Sequence, residues 1–108
     1  MIPKRSKLIQ RCIDKKWKPI LKGTHRNDGM GDCILCQIFM DTMTPIPNTR
    51  CALCPLYIQG YDCCEENSFY SDFEVVDTHM GGEAYQKAAQ NMIDMLEKVK
   101  KIYEEKGD

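Results

Sequence analysis

Apolar side chains at helical spacing near both ends of a 108-residue chain, and two C-x2-C motifs between them, predict a small, mostly α, irregular metal-stabilised domain. In it, two cysteine knuckles lie between an N-terminal basic helix and a long C-terminal helix. The length is that of one domain. The organisation read from the sequence is a basic helix over residues 1–26, a cysteine-rich zinc-binding centre over 27–81 and a long amphipathic helix over 82–108. An apolar share of 43% with 29% charged residues is a globular composition and argues against general disorder.

The first helix is marked by Ile9, Cys12, Ile13, Trp17, Ile20 and Leu21, which recur every three or four residues behind Ser6, an acceptable N-cap. Its opposite face carries Lys7, Arg11, Lys15, Lys18 and Lys22. Pro19 should end or kink this helix, and Gly23 is a natural stop. Residues 24–31 have the turn chemistry of a loop.

The centre reads as knuckle, short piece, turn, knuckle and turn. Ile38, Phe39 and Met40 can continue a short helix from Cys36, whereas the prolines of residues 44–48 cannot. Leu56, Tyr57 and Ile58 before Gly60 form another short piece. Residues 68–79 offer Phe69, Tyr70, Phe73, Val75 and Val76 to a core without clean strand alternation.

Residues 82–106 read as one helix, striped by Tyr85, Ala88 or Ala89, Met92, Met95 or Leu96, Val99, and Ile102 or Tyr103. At ~1.5 Å per residue it is about 36 Å long, so it must cross the whole fold or project from it. Part of the stripe should pack on the first helix around Ile13 and Trp17. The far turns at Val99, Ile102 and Tyr103 are the ones such a partner would leave open. Tyr85, Met92 and Val99 are spaced by sevens, a seam that could serve a second copy or partner helix; that the stripe closes this chain's own core is the favoured reading, with monomer and homodimer both open.

Charge is distributed in blocks. Residues 1–26 carry +8, residues 27–83 carry −9 and residues 84–108 carry zero, which together make the net charge of −1. A basic arm on an acidic body either seeks an anionic partner or neutralises its own body. No window approaches about eighteen consecutive apolar residues, and Lys4, Arg5 and Lys7 open the chain with no apolar run behind them. Neither a membrane span nor a secretory signal is expected.

Seven cysteines in so short a chain carry the chemistry. Cys33 and Cys36, then Cys51 and Cys54, are two knuckles separated by fourteen residues, just short of the usual four-cysteine zinc spacing. Two thiolates three residues apart can share one tight turn. Two such turns place four sulfurs around a zinc ion at ~2.3 Å. Such a metal can contribute ~10 to 16 kcal/mol at neutral pH, enough to replace a core that a chain this short lacks. Disulfides would need an oxidising compartment and would leave one cysteine unpaired. A redox C-x-x-C would need a strand before it, and an iron-sulfur cluster would accept the same thiolates in a different spacing. Cys63 and Cys64 lie close enough in sequence to reach the second knuckle. Cys12 falls on the apolar stripe and reads as a buried structural thiol. His25 and His79 read as solvent or core histidines. No His-x-x-x-His or His-x-Glu spacing accompanies the cysteines, which speaks against a catalytic zinc and against an enzyme.

The order Trp17, Gly23, Gly31-Asp32-Cys33, Leu35-Cys36, Cys51, Cys54-Pro55, Gly60, Cys64, Phe69-Tyr70 and a terminal amphipathic helix resembles small cysteine-rich proteins encoded by bacteriophages and other prokaryotic viruses. The chain departs from that pattern at Cys63-Cys64 and at Pro19. The resemblance favours Cys64 over Cys63 as a fifth site cysteine, and it implies an intracellular accessory protein without supplying a reaction. The function expected is therefore a zinc-binding, non-enzymatic protein-interaction module in the cytoplasm, that of the host if the protein is viral, engaging a protein partner such as a host factor. Its metal residues are Cys33, Cys36, Cys51, Cys54 and Cys64. The alternatives are weak nucleic-acid binding through the basic N-terminal helix, and a redox or iron-sulfur protein. Against nucleic acid stand the acidic body and the absence of aromatic residues among the lysines apart from Trp17.

Overall fold

A computed structural model of the chain describes residues 4–27, 33–39, 54–61, 68–78 and 81–108. Among the described residues the regular elements are all helical: α1 (Arg5–Cys12), a π-helical turn (Ile13–Trp17), α2 (Lys18–Lys22), α3 (Ile34–Phe39), α4 (Pro55–Ile58), α5 (Phe69–Val76) and α6 (Glu83–Glu105).

The first three elements run on as one rod, and Pro19 lies inside it. A proline has no N–H to give and its ring presses on the carbonyl four residues back, here that of Lys15. The chain answers by widening the turn before it: the Lys18 N–H bonds to the Ile13 carbonyl, five residues back, and helix resumes. The stop comes at Gly23, whose φ of 77° is open to glycine without steric cost. Gly23 N–H bonds to the Ile20 carbonyl and Thr24 N–H to the Pro19 carbonyl, both at 3.0 Å, a Schellman end.

The start of α1 differs from expectation. Lys4, not Ser6, holds the N-cap position and makes no side-chain cap. Ser6 lies in the first turn, and its N–H bonds to the Asp108 carbonyl at 2.9 Å, while the Arg5 N–H reaches the Asp108 carboxylate at 3.4 Å. A second Schellman turn at Gly107, with Asp108 N–H bonding to the Tyr103 carbonyl at 2.9 Å, bends Asp108 back to do this. The orphan N–H groups of α1 are thus satisfied by a residue 103 positions away in sequence.

Helix α6 begins and ends within one residue of the predicted boundaries. Its 23 residues span about 34 Å, against a longest molecular extent of 38 Å. It crosses the fold and does not project from it. The rod of α1 and α2 lies antiparallel along its whole length: Arg5 pairs with Asp108, Gln10 accepts from Lys100 Nζ at 2.6 Å, and Tyr85 Oη donates to the Ile20 carbonyl at 3.1 Å. The far turns of α6 are therefore covered by this chain, as the own-core reading of the stripe expects and the open-seam alternative does not. Val99 is fully buried, Tyr103 is buried and Ile102 is half-buried.

The core between these rods contains Leu8, Ile9, Ile13, Ile20, Met92, Leu96 and Val99, all essentially inaccessible to solvent. Each such aliphatic side chain contributes about 1.5–3 kcal/mol by leaving water. The chain thus builds a continuous apolar core from side chains, where the short length suggested that a metal would have to stand in for one.

Residues 68–79, where the sequence showed no regular pattern, contain α5. Ser68 caps it, accepting the Ser71 N–H at 3.0 Å. Phe73 is its fully buried residue. It meets Trp17 edge to face at 5.0 Å and Tyr85 at 5.1 Å, and so fastens α5 to the Trp17 end of the rod pair.

Candidate metal centre

Two knuckle cysteines lie among the described residues with their side chains, and both stand at the entrance of a short helix. Cys33 directly precedes α3, and its carbonyl accepts the Gln37 N–H at 3.0 Å. Cys36 follows three residues on, in the first turn of α3. Cys54 is the N-cap of α4 in extended conformation, followed by Pro55 at the first helical position, where a missing N–H costs nothing. Its carbonyl accepts the Ile58 N–H at 3.1 Å. Cys33 and Cys54 are both half-buried and both pack against the one apolar core. Cys51, Cys63, Cys64 and His79 lie outside the described residues, and so does the proline loop at 44–48. Among the described residues no three His, Cys, Asp or Glu side chains cluster as metal ligands do.

The fold seats the helices that follow Cys33 and Cys54 on the two paired rods. α3 lies on α1 and α4 lies on α6. α1 is paired with the C-terminal half of α6 through Gln10 and Lys100, and through Arg5 and Asp108. The contact that places α4 is buried: Tyr103 Oη donates to the Pro55 carbonyl at 2.9 Å, one residue from Cys54. Behind α4, Tyr61 N–H returns to the Leu56 carbonyl at 2.8 Å and ends the helix at Gly60. α5 runs along α6, its first residue Phe69 sharing a pocket with Tyr61, Met95 and Lys98 and its Phe73 meeting Trp17 and Tyr85 toward the other end.

Cys12 is buried in the seam between the rods, within the apolar stripe. His25 is half-buried just past the end of α2. Comparison with protein-family models, with curated proteins and with solved structures finds no match to this chain.

The basic helix sorts its cations into two sets. Lys16 is turned inward, only 3% exposed, with its ammonium 5.4 Å from the Trp17 ring and 5.9 Å from the Tyr70 ring. The position is readable in hindsight: residue 16 stands between Cys12 and Ile20 on the apolar stripe itself. Lys4, Lys7, Arg11, Lys15, Lys18 and Lys22 are exposed. At the opposite end of the ladder, Arg5 holds the Asp108 carboxyl below its ordinary pKa by hydrogen bonding. Burial pushes the Tyr85 phenol up, the charge of Asp77 adds to that, and Arg26 opposes it.

Proposed function

We propose that this protein is a zinc-stabilised, non-enzymatic interaction module, with Cys33, Cys36, Cys51 and Cys54 as the metal ligands and Cys64 as the substitute ligand. The observation that supports the proposal is that Cys33 and Cys54, one from each Cys-x-x-Cys motif, both stand at the start of a short helix seated on the paired rods. A Cys-x-x-Cys motif beginning at a helix entrance supplies two thiolates from one turn, and two such motifs supply a closed tetrahedral site. A closed site leaves no open position for water or substrate, which is why the reading is structural and not catalytic.

A protein partner is supported by the same two helices. Ile38 on α3 is 40% exposed, and Tyr57 and Ile58 on α4 are 41% and 50% exposed. Apolar side chains on two metal-pinned helices are the kind of surface a protein partner covers. The resemblance to small proteins of prokaryotic viruses supports an accessory role in the cytoplasm, with a host protein as the partner. No helix among the described residues is long and apolar enough to cross a membrane.

The test is metal content. Native mass spectrometry and elemental analysis of the purified protein are expected to show about one zinc per chain, removable by chelator. Iron with inorganic sulfide would replace the zinc reading with the cluster reading. Metal-free folded protein with oxidised cysteines would overturn both.

A further inference from the structure

We infer that the outer face of the α1–α2 rod binds the phosphate backbone of duplex nucleic acid without reading its sequence. The exposed cations Lys4, Lys7, Arg11, Lys15, Lys18 and Lys22 follow one another at intervals of three or four residues. Their mean interval is that of an α-helical turn, so they form a straight row about 27 Å long. Neutralisation by the acidic middle of the chain was the competing expectation. Among the described residues, Lys7, Arg11, Lys15 and Lys22 make no ion pair, and Lys18 is paired only with Asp14 of its own rod at 3.4 Å. The cation withdrawn from the row is Lys16, which is buried against Trp17 and Tyr70.

The row's first turn borders a cleft of about 380 Å³ between α1 and the end of α6. Its two acids are already engaged, Asp108 by Arg5 and Glu104 by Lys100 at 3.8 Å. Lys7 makes no ion pair among the described residues, whereas the charge of Lys4 also acts on the Asp108 carboxyl. Duplex DNA presents a negative charge about every 1.7 Å along its axis, both strands counted, a density against which a row of cations about 27 Å long can be matched.

Two observations choose among polyanions. Binding of single strands relies on aromatic platforms for the bases, and Trp17, the one aromatic residue of the rod, is 2% exposed. The row is five lysines and one arginine, and such cations evenly spaced along a straight rod suit the repeating phosphates, which carry no sequence information, more than the edges of particular bases. What is left is backbone contact, which a duplex satisfies. This inference concerns a different face from the knuckles and stands independently of the metal reading.

The experiment is fluorescence anisotropy of the full chain with a mixed-sequence 30-base-pair DNA duplex between 50 and 200 mM salt. One phosphate contact for each of the six cations sets an upper bound on the log–log salt slope of about −5.4, with no dependence on duplex sequence. The double substitution Lys15→Gln/Lys22→Gln should flatten that slope by about two units, and Lys7→Gln/Lys18→Gln should do the same if the first pair perturbs the helix. Lys87→Gln/Lys98→Gln on α6 removes equal charge off the row and should leave the slope unchanged. Zinc content and far-ultraviolet circular dichroism, measured on each variant, keep loss of folding separate from loss of contact. Absence of binding at 50 mM salt overturns the proposal. So does an equal response to the α6 pair, tighter binding to a single strand of the same length, or displacement of the duplex by an equal charge of polyglutamate.

Discussion

Tyr103, near the end of the longest helix, donates its buried hydroxyl to the carbonyl of Pro55, the residue that follows Cys54. One hydrogen bond thereby ties the start of α4, beside Cys54, to the antiparallel rods that form the core. The aromatic ring supplies the burial, and the hydroxyl supplies the registration of α4.

Tyr103→Phe keeps the ring and deletes the donor. The expected loss is about 0.5–1.5 kcal/mol in urea unfolding. If Cys54 is a zinc ligand, the variant should also bind zinc more weakly, in competition with a chromophoric chelator, than its stability loss alone explains. An unchanged zinc affinity would show that the metal end is held by other contacts.

Val99 and Ile102 separate core from surface on one helix. Val99→Glu places an unpaired carboxylate in a fully buried position and should cost several kcal/mol, enough to unfold much of the population at 37 °C. Ile102 is half-buried, and its Glu variant should stay folded. Size-exclusion chromatography with circular dichroism distinguishes the two. A folded, monomeric Val99→Glu variant would return this stripe to the role of a partner surface.

Gly107 turns Asp108 toward the start of α1 with a φ of 74°. A Cβ there meets nothing within 4 Å, so the cost of Gly107→Ala is that of the backbone alone, about 1–2 kcal/mol. Amide exchange should rise at Arg5 and Ser6, the two N–H groups that Asp108 accepts from.

Two groups give the stability a pH dependence at opposite ends. The Asp108 carboxyl is held below its ordinary value by Arg5, so its contribution is present above the unfolded value near ~4 and is lost as pH falls through the folded one. The Tyr85 phenol is raised, chiefly by burial, so its contribution is present below ~10 and is lost as pH rises through the folded value. Asp108→Asn should flatten the acid limb of a stability profile, and Tyr85→Phe the alkaline limb. Neither should alter the other limb.

The two long helical signals were legible because their causes are local. A three- and four-residue apolar period, a glycine able to take positive φ and a proline with a known defect all act within a turn of themselves, so α6 and the stop at Gly23 could be placed from the residues alone. The C-x2-C spacing of Cys33 with Cys36 and of Cys51 with Cys54 is a local feature of the same kind, although Cys51 lies outside the described residues. α5 was not, although Ser68 marks its start: Phe73 is its fully buried residue, and that burial depends on Trp17 and Tyr85 arriving from both ends of the chain. Only the tertiary structure turned Lys16 inward, supplied Asp108 as the partner for the first turn of α1, covered Val99 and Tyr103, and seated α3 and α4 on the rods. Each of these is a contact between residues distant in sequence. Their free energy comes from what the rest of the chain places nearby, which no periodicity within a single segment encodes.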